Sequence, residues 1–183
     1  FAVVRREAAY VSPDEGRSWR RLDLPGAPVQ TLFSSPTGAR FATTAGGFHR
    51  RSGDGSWEEV SGEHVWALTA CGEALVAGTY ARGLLRSTDD GRTWSPVTEE
   101  LRARSQQGGY LTFTAVTCLP DGGVLAGTFW DGVFYSPDAG ETWRDATAGL
   151  PSESVQDFAV SPDGRVFVST PAGVFVNVAL PDE

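Results

Sequence analysis

The chain has 183 residues, enough for one hydrophobic core, and no apolar run approaches the ~20 residues needed to span a bilayer. Its net charge of −8 argues against a nucleic-acid backbone or an anionic membrane as the main partner. All fifteen basic residues are Arg, Ile is absent and Asn177 is the only Asn, a bias that fits a GC-rich genome better than anion recognition.

Short strand-like runs separated by Gly, Pro and Asp turns fill the chain from end to end. Residues 1–24 read as the second to fourth strands of a four-stranded unit. Residues 29–60 form a full but eroded unit. Residues 64–97 are the best-formed unit, with strands expected at 64–70, 74–79, 83–87 and 93–98. Residues 111–146 repeat it, and Val124-Leu-Ala-Gly-Thr128 answers Leu75-Val-Ala-Gly-Thr79. Residues 155–178 begin a fifth unit whose third strand is Gly173-Val-Phe-Val-Asn177. The one irregular insertion, 98–109, is a loop of the kind that carries function when a scaffold is otherwise regular.

Cys71 and Cys118 fall near strand ends in successive units. A bond between them is one reading; two small buried hydrophobes is the preferred one, since two cysteines do not make a disulfide scaffold. Neither has a Cys-x-x-Cys partner and the chain holds only His49 and His64, so no metal site and no cofactor is expected.

An octet punctuates the units: Ser12-Pro-Asp14-Glu-Gly16-Arg-Ser-Trp19, Ser87-Thr-Asp89-Asp-Gly91-Arg-Thr-Trp94 and Ser136-Pro-Asp138-Ala-Gly140-Glu-Thr-Trp143. A shortened relative with Asp54 and Trp57 lies between the first two. The four tryptophans follow at intervals of 38, 37 and 49 residues, a period suited to propeller blades of four antiparallel strands. Ser and Asp side chains can close the turn on nearby backbone groups. The glycines supply a positive φ, and each Trp brings a large apolar surface to pack on a neighbour. Asp89-Asp90-Gly91 lacks the alternating ligands and closing Glu of a calcium loop.

These octets resemble the Asp-box, or BNR repeat, Ser/Thr-x-Asp-x-Gly-x-Thr-Trp, departing from it only at Ser18. The resemblance implies an all-β propeller of about five four-stranded blades, or part of a larger ring, in one domain over 1–183. Relatives of this kind include sialidases, xyloglucan-degrading enzymes, sortilin-type receptors and a photosystem II assembly factor. In them the box is a folding device on the face away from the active site. An incomplete ring would leave strand edges open to self-association. With Phe1 at the start and no Met, a removed leader and an extracytoplasmic location stay open.

The family geometry puts the loops between second and third strands, and those between units, on the face opposite the octets. That rim gathers Arg5, Arg6 and Glu7, then Thr43 to Gly47, Tyr80 and Arg82, then Phe129, Trp130 and Asp131, then Thr170 to Gly173, with Arg102 and Arg104 from the insertion. Aromatic, Arg and carboxylate residues on such a rim suit a protein or carbohydrate ligand. Aligning the first strands puts Gln30, His64, Thr112 and Gln156 in one polar column, a candidate channel lining. A binding or assembly module without catalysis is the first reading. The alternative is a glycoside hydrolase, for which Asp131 and Asp157 are the candidate carboxyl pair. Against it, the sialidase Arg-Ile-Pro segment and a Tyr-Glu nucleophile pair are absent.

Overall fold

A computed structural model describes residues 2–4, 8–24, 28–44, 46–51, 55–80, 82–99, 101, 105 and 108–176. The chain divides into two compact units, Phe1–Val65 and Trp66–Glu183. Eighteen strands are present among the described residues, all paired antiparallel with their sequence neighbours.

In the first unit, β1 (Ala2–Val4), β2 (Ala8–Val11) and β3 (Arg20–Leu22) form a three-stranded sheet. A four-stranded sheet follows: β4 (Val29–Ser34), β5 (Arg40–Thr44), β6 (Gly47–Arg51) and β7 (Trp57–Ser61). Ala9, Leu22 and Val29 make a small core between β2, β3 and β4, and Phe41 stacks on Phe48 at 5.5 Å. Buried His49 takes its Nε2 contact from the Thr44 hydroxyl at 3.1 Å, and burial holds its pKa below the ordinary value.

The second unit holds three sheets. Strands β8 (Val65–Cys71), β9 (Ala74–Thr79), β10 (Leu84–Ser87) and β11 (Ser95–Pro96) form one. Strands β12 (Phe113–Cys118), β13 (Val124–Thr128), β14 (Val133–Ser136) and β15 (Arg144–Asp145) form the next. The third has β16 (Asp157–Val160), β17 (Val166–Thr170) and β18 (Gly173–Val176). This is the expected all-β, propeller-type architecture.

Stacking of these sheets explains the sequence of their second strands. Val76, Leu84, Leu111, Phe113, Val124 and Phe134 form one buried layer, and Leu125, Val133, Val155, Val166 and Val168 form the next. Each such side chain contributes about 1.5–3 kcal/mol when fully buried. The layers close up because Gly78 and Gly127 have no side chain: a Cβ would lie 2.9 Å from Phe113 Cβ in the first case and would collide with Val155 in the second. Both glycines sit in the Val-Ala-Gly-Thr and Leu-Ala-Gly-Thr stretches that mark the repeat.

The three full octets share one hydrogen-bond pattern. The hydroxyls of Ser12, Ser87 and Ser136 donate to Asp14, Asp89 and Asp138 at 2.8–2.9 Å and accept from the N–H of Gly16, Gly91 and Gly140. Each carboxylate accepts both N–H and O–H of the seventh residue, Ser18, Thr93 or Thr142. Bonds from Ser18 hold the Asp14 pKa below the carboxylate range. Bonds from Thr93 do the same at Asp89; at Asp138 partial burial pushes upward and the bonds from Thr142 and Ser136 outweigh it. The turn needs two consecutive left-handed residues, and the first is Glu15, Asp90 or Ala139, with φ of 58°, 60° and 53°.

One expectation needs correction here. Cys71 and Cys118 are bonded to each other, tying β8 to β12, because Cα atoms 47 residues apart in sequence come within 5.2 Å once the two sheets stack. The octet tryptophans keep part of their surface in solvent. Trp19 is 48% exposed, and Trp94 and Trp143 are half-buried, their indole N–H bonded back to Gly91 and Gly140 carbonyls. Trp143 nonetheless packs against the buried layer that holds Val76 and Phe134, and its octet meets the preceding sheet where Arg86 Nε donates to the Ala139 carbonyl at 3.0 Å.

Candidate functional site

In the second unit the turns that leave β9 and β13 lie at the opposite end of β10 and β14 from the octets. Both are built on the same clip. The Thr79 hydroxyl donates to the Gly83 carbonyl at 2.8 Å and accepts the Arg82 N–H at 3.2 Å. Thr128 does the same with Gly132 at 2.9 Å and Asp131 at 2.7 Å. Gly83 and Gly132 are required twice over, by φ of 83° and 77° and by lack of room. A Cβ at either would fall onto the hydroxyl of Thr98 or Thr147, which accepts the N–H of Leu84 or Val133.

What the clips hold is aromatic. Tyr80 is 55% exposed and stacks on Trp66, its ring centroid 5.7 Å away. Phe129 and Trp130 meet edge to face at 4.3 Å, and both remain exposed. Backbone hydrogen bonds join the two groups: Gly83 N–H donates to Leu111 O at 3.1 Å, and Phe129 N–H to Thr112 O at 3.0 Å. Arg82 forms a parallel bridge with Leu111, next to exposed Tyr110. Five exposed aromatic side chains therefore sit along one tied strip of backbone, with Arg82 exposed and Asp131 half-buried among them.

Of the residues expected at the rim, Tyr80, Arg82, Phe129, Trp130 and Asp131 fall on this strip, while Arg102, Arg104 and Arg5 to Glu7 lie outside the described residues, as does Asp54 of the shortened octet. Trp66 and Tyr110 were not anticipated. Trp66 reads as a strand residue, and only its stack on Tyr80 reveals where its ring goes.

The polar column is two residues out of register in half of its members. Counted from the hairpin turn after each first strand, buried Val29, Val65, Phe113 and Val155 occupy one position. The next position is then held by Gln30, Trp66, Thr114 and Gln156, not by His64 and Thr112. Gln30 and His64 belong to the first unit, Thr112 and Gln156 to the second. Thr112 is buried, His64 and Gln156 are exposed, and Thr114 donates to Val155 O at 2.6 Å.

Asp131 follows Trp130 in the loop after β13, and Asp157 opens β16, exposed, with its Oδ1 accepting the Phe158 N–H at 2.9 Å. Among the described residues no three His, Cys, Asp or Glu side chains are grouped to hold a metal ion. No helix of the described residues is long and apolar enough to cross a membrane. A cleft of about 220 Å³ is lined by Pro96, Val97, Glu99, Leu101, Glu141, Thr142 and Trp143, none of them a residue of the aromatic strip.

No family model matches this chain, and no curated protein matches it in sequence. Solved structures do match in fold. The extracellular domain of the one-component system BT4673 from B. thetaiotaomicron superposes with a TM-score of 0.74 at 14% identity, covering 93% of this chain and 25% of that one. YCF48 bound to D1 peptide gives 0.67 at 17% identity, over 98% of this chain and 60% of that one. A GH74 enzyme from Niastella koreensis gives 0.62 at 17% identity, over 84% and 28%. The chain thus spans about a quarter of the length of BT4673 and of the GH74 enzyme. At these identities the likeness shows a β-propeller-type fold.

Proposed function

We propose that this chain is an Asp-box β-propeller module that binds or assembles, without catalysis, and that it presents Tyr80, Arg82, Trp130 and Asp131 to a protein or glycan ligand. One observation carries the reading. Two successive loops are rigidly clipped by Thr79 and Thr128, yet they hold large aromatic side chains out in solvent. Exposed rings that fixed cost free energy with no return in folding, and at interfaces such residues supply contact area at low entropy cost. YCF48, one of the fold relatives, is solved with a bound peptide, which lends the reading support by analogy of fold.

The test is replacement of Tyr80, Arg82 and Trp130 together by Ala. Ligand binding should be abolished with the thermal midpoint nearly unchanged, because none of the three is buried. Retained binding would remove this face from the assignment. If the chain instead hydrolyses a glycoside, turnover should fall at least a hundredfold in Asp131→Asn; unchanged turnover removes that carboxylate.

A further inference from the structure

Resting on that reading, we propose that the ligand of the aromatic strip is an uncharged glycan chain, bound by stacking of pyranose rings on two pre-formed aromatic pairs. Trp66 with Tyr80 is one pair and Phe129 with Trp130 the other.

Three features of the strip select this chemistry. First, the backbone of the two loops is already used. The N–H groups of Arg82, Gly83, Asp131 and Gly132, and the carbonyls of Gly83 and Gly132, all bond within the fold, several of them to the Thr79 and Thr128 hydroxyls. An extended peptide gains affinity from free main-chain groups at a sheet edge, and these loops offer few. Second, the ring pairs are rigid. Each ring is braced by its neighbour and each loop by its threonine, so little side-chain freedom remains to be lost on binding. A pyranose with equatorial hydroxyls presents axial C–H bonds that carry slight positive charge, which complements the negative face of an aromatic ring. Third, the charge balances. The two loops carry one guanidinium, Arg82, and one carboxylate, Asp131. An anionic sugar would need an excess of cations; a neutral chain needs only a donor and an acceptor for its hydroxyls.

The experiment is calorimetric titration of the whole chain with four neutral hexasaccharides, of glucose, xylose, mannose and galactose, at two ionic strengths. Trp66→Ala, Tyr80→Ala and Trp130→Ala are titrated beside the native chain. At least one hexasaccharide should bind, with affinity unchanged between 0.05 and 0.5 M salt on the order expected for an uncharged partner. Each substitution should weaken it at least tenfold, and the thermal midpoint of each variant should stay close to the native one. Absence of binding by all four sugars overturns the proposal, as does binding that ignores the three substitutions. A random peptide library selected on the same chain separates the two levels. Peptides that bind and are lost in Tyr80→Ala and Trp130→Ala would sink the glycan and keep the face; peptides indifferent to both, with the sugars silent, would sink the face as well.

Discussion

Four second-to-third-strand turns share the threonine clip, yet they divide into two kinds. Thr44 and Thr170 bond to the carbonyls of Gly47 and Gly173 three residues on, closing short turns filled by Ala, Gly and Pro. Thr79 and Thr128 reach glycines four residues on, and the extra residue comes with Tyr80, Arg82, Phe129, Trp130 and Asp131. The scaffold fixes where a turn goes; the added residue decides what it can present. A repeat protein can vary a single position of the unit in this way without disturbing the strands on either side.

The sheets with the long turns are also the ones joined by Cys71 and Cys118, so breaking that bond is the most severe challenge to the pair. The disulfide closes a separation of 47 residues, and the chain-entropy account puts its removal in the double Ser variant at about 4 kcal/mol. A loss under ~1 kcal/mol in chemical denaturation would mean that sheet packing alone holds the two sheets together.

Next in size is the glycine that ends each turn. Gly132→Ala combines a positive φ with a collision against Thr147 and should cost about 3 kcal/mol. Gly173→Ala, with a φ of 130° and open space around it, should cost about 1–2 kcal/mol. Equal costs would erase the structural distinction between long and short turns. At the far end of the same sheets, Trp94→Ala should cost about 2 kcal/mol, less than the ~3–5 of a fully buried ring. A larger loss would show that the octet contributes more to sheet packing than its exposure indicates.

The smallest effects are acid-dependent. His49 has a lowered pKa, so the stability it contributes is complete above the ordinary His value near 6.5 and declines as pH falls through it. Asp14, Asp89 and Asp138 are also depressed, so their contribution is complete above about pH 4 and is lost below it. Thermal midpoints followed from pH 8 to 3 should therefore decline in two stages. His49→Gln should remove the upper stage, and Asp89→Asn should flatten part of the lower one.

The sequence by itself determined what is local. Each octet closes on its own side chains within eight residues, and β9 and β13 announce their glycine and threonine, so turns, strands and repeat could be read from spacing. The rim was an expectation of the resemblance, and the turns after β9 and β13 are the part of it that the described residues place opposite the octets. Tertiary structure decided what depends on distance between sheets. The bond between Cys71 and Cys118, the stack of Trp66 on Tyr80 and the contact of Thr114 with Val155 all arise where separate strands meet. No local pattern encodes such meetings, because they are set by how closely glycine-bearing strands allow neighbouring sheets to pack.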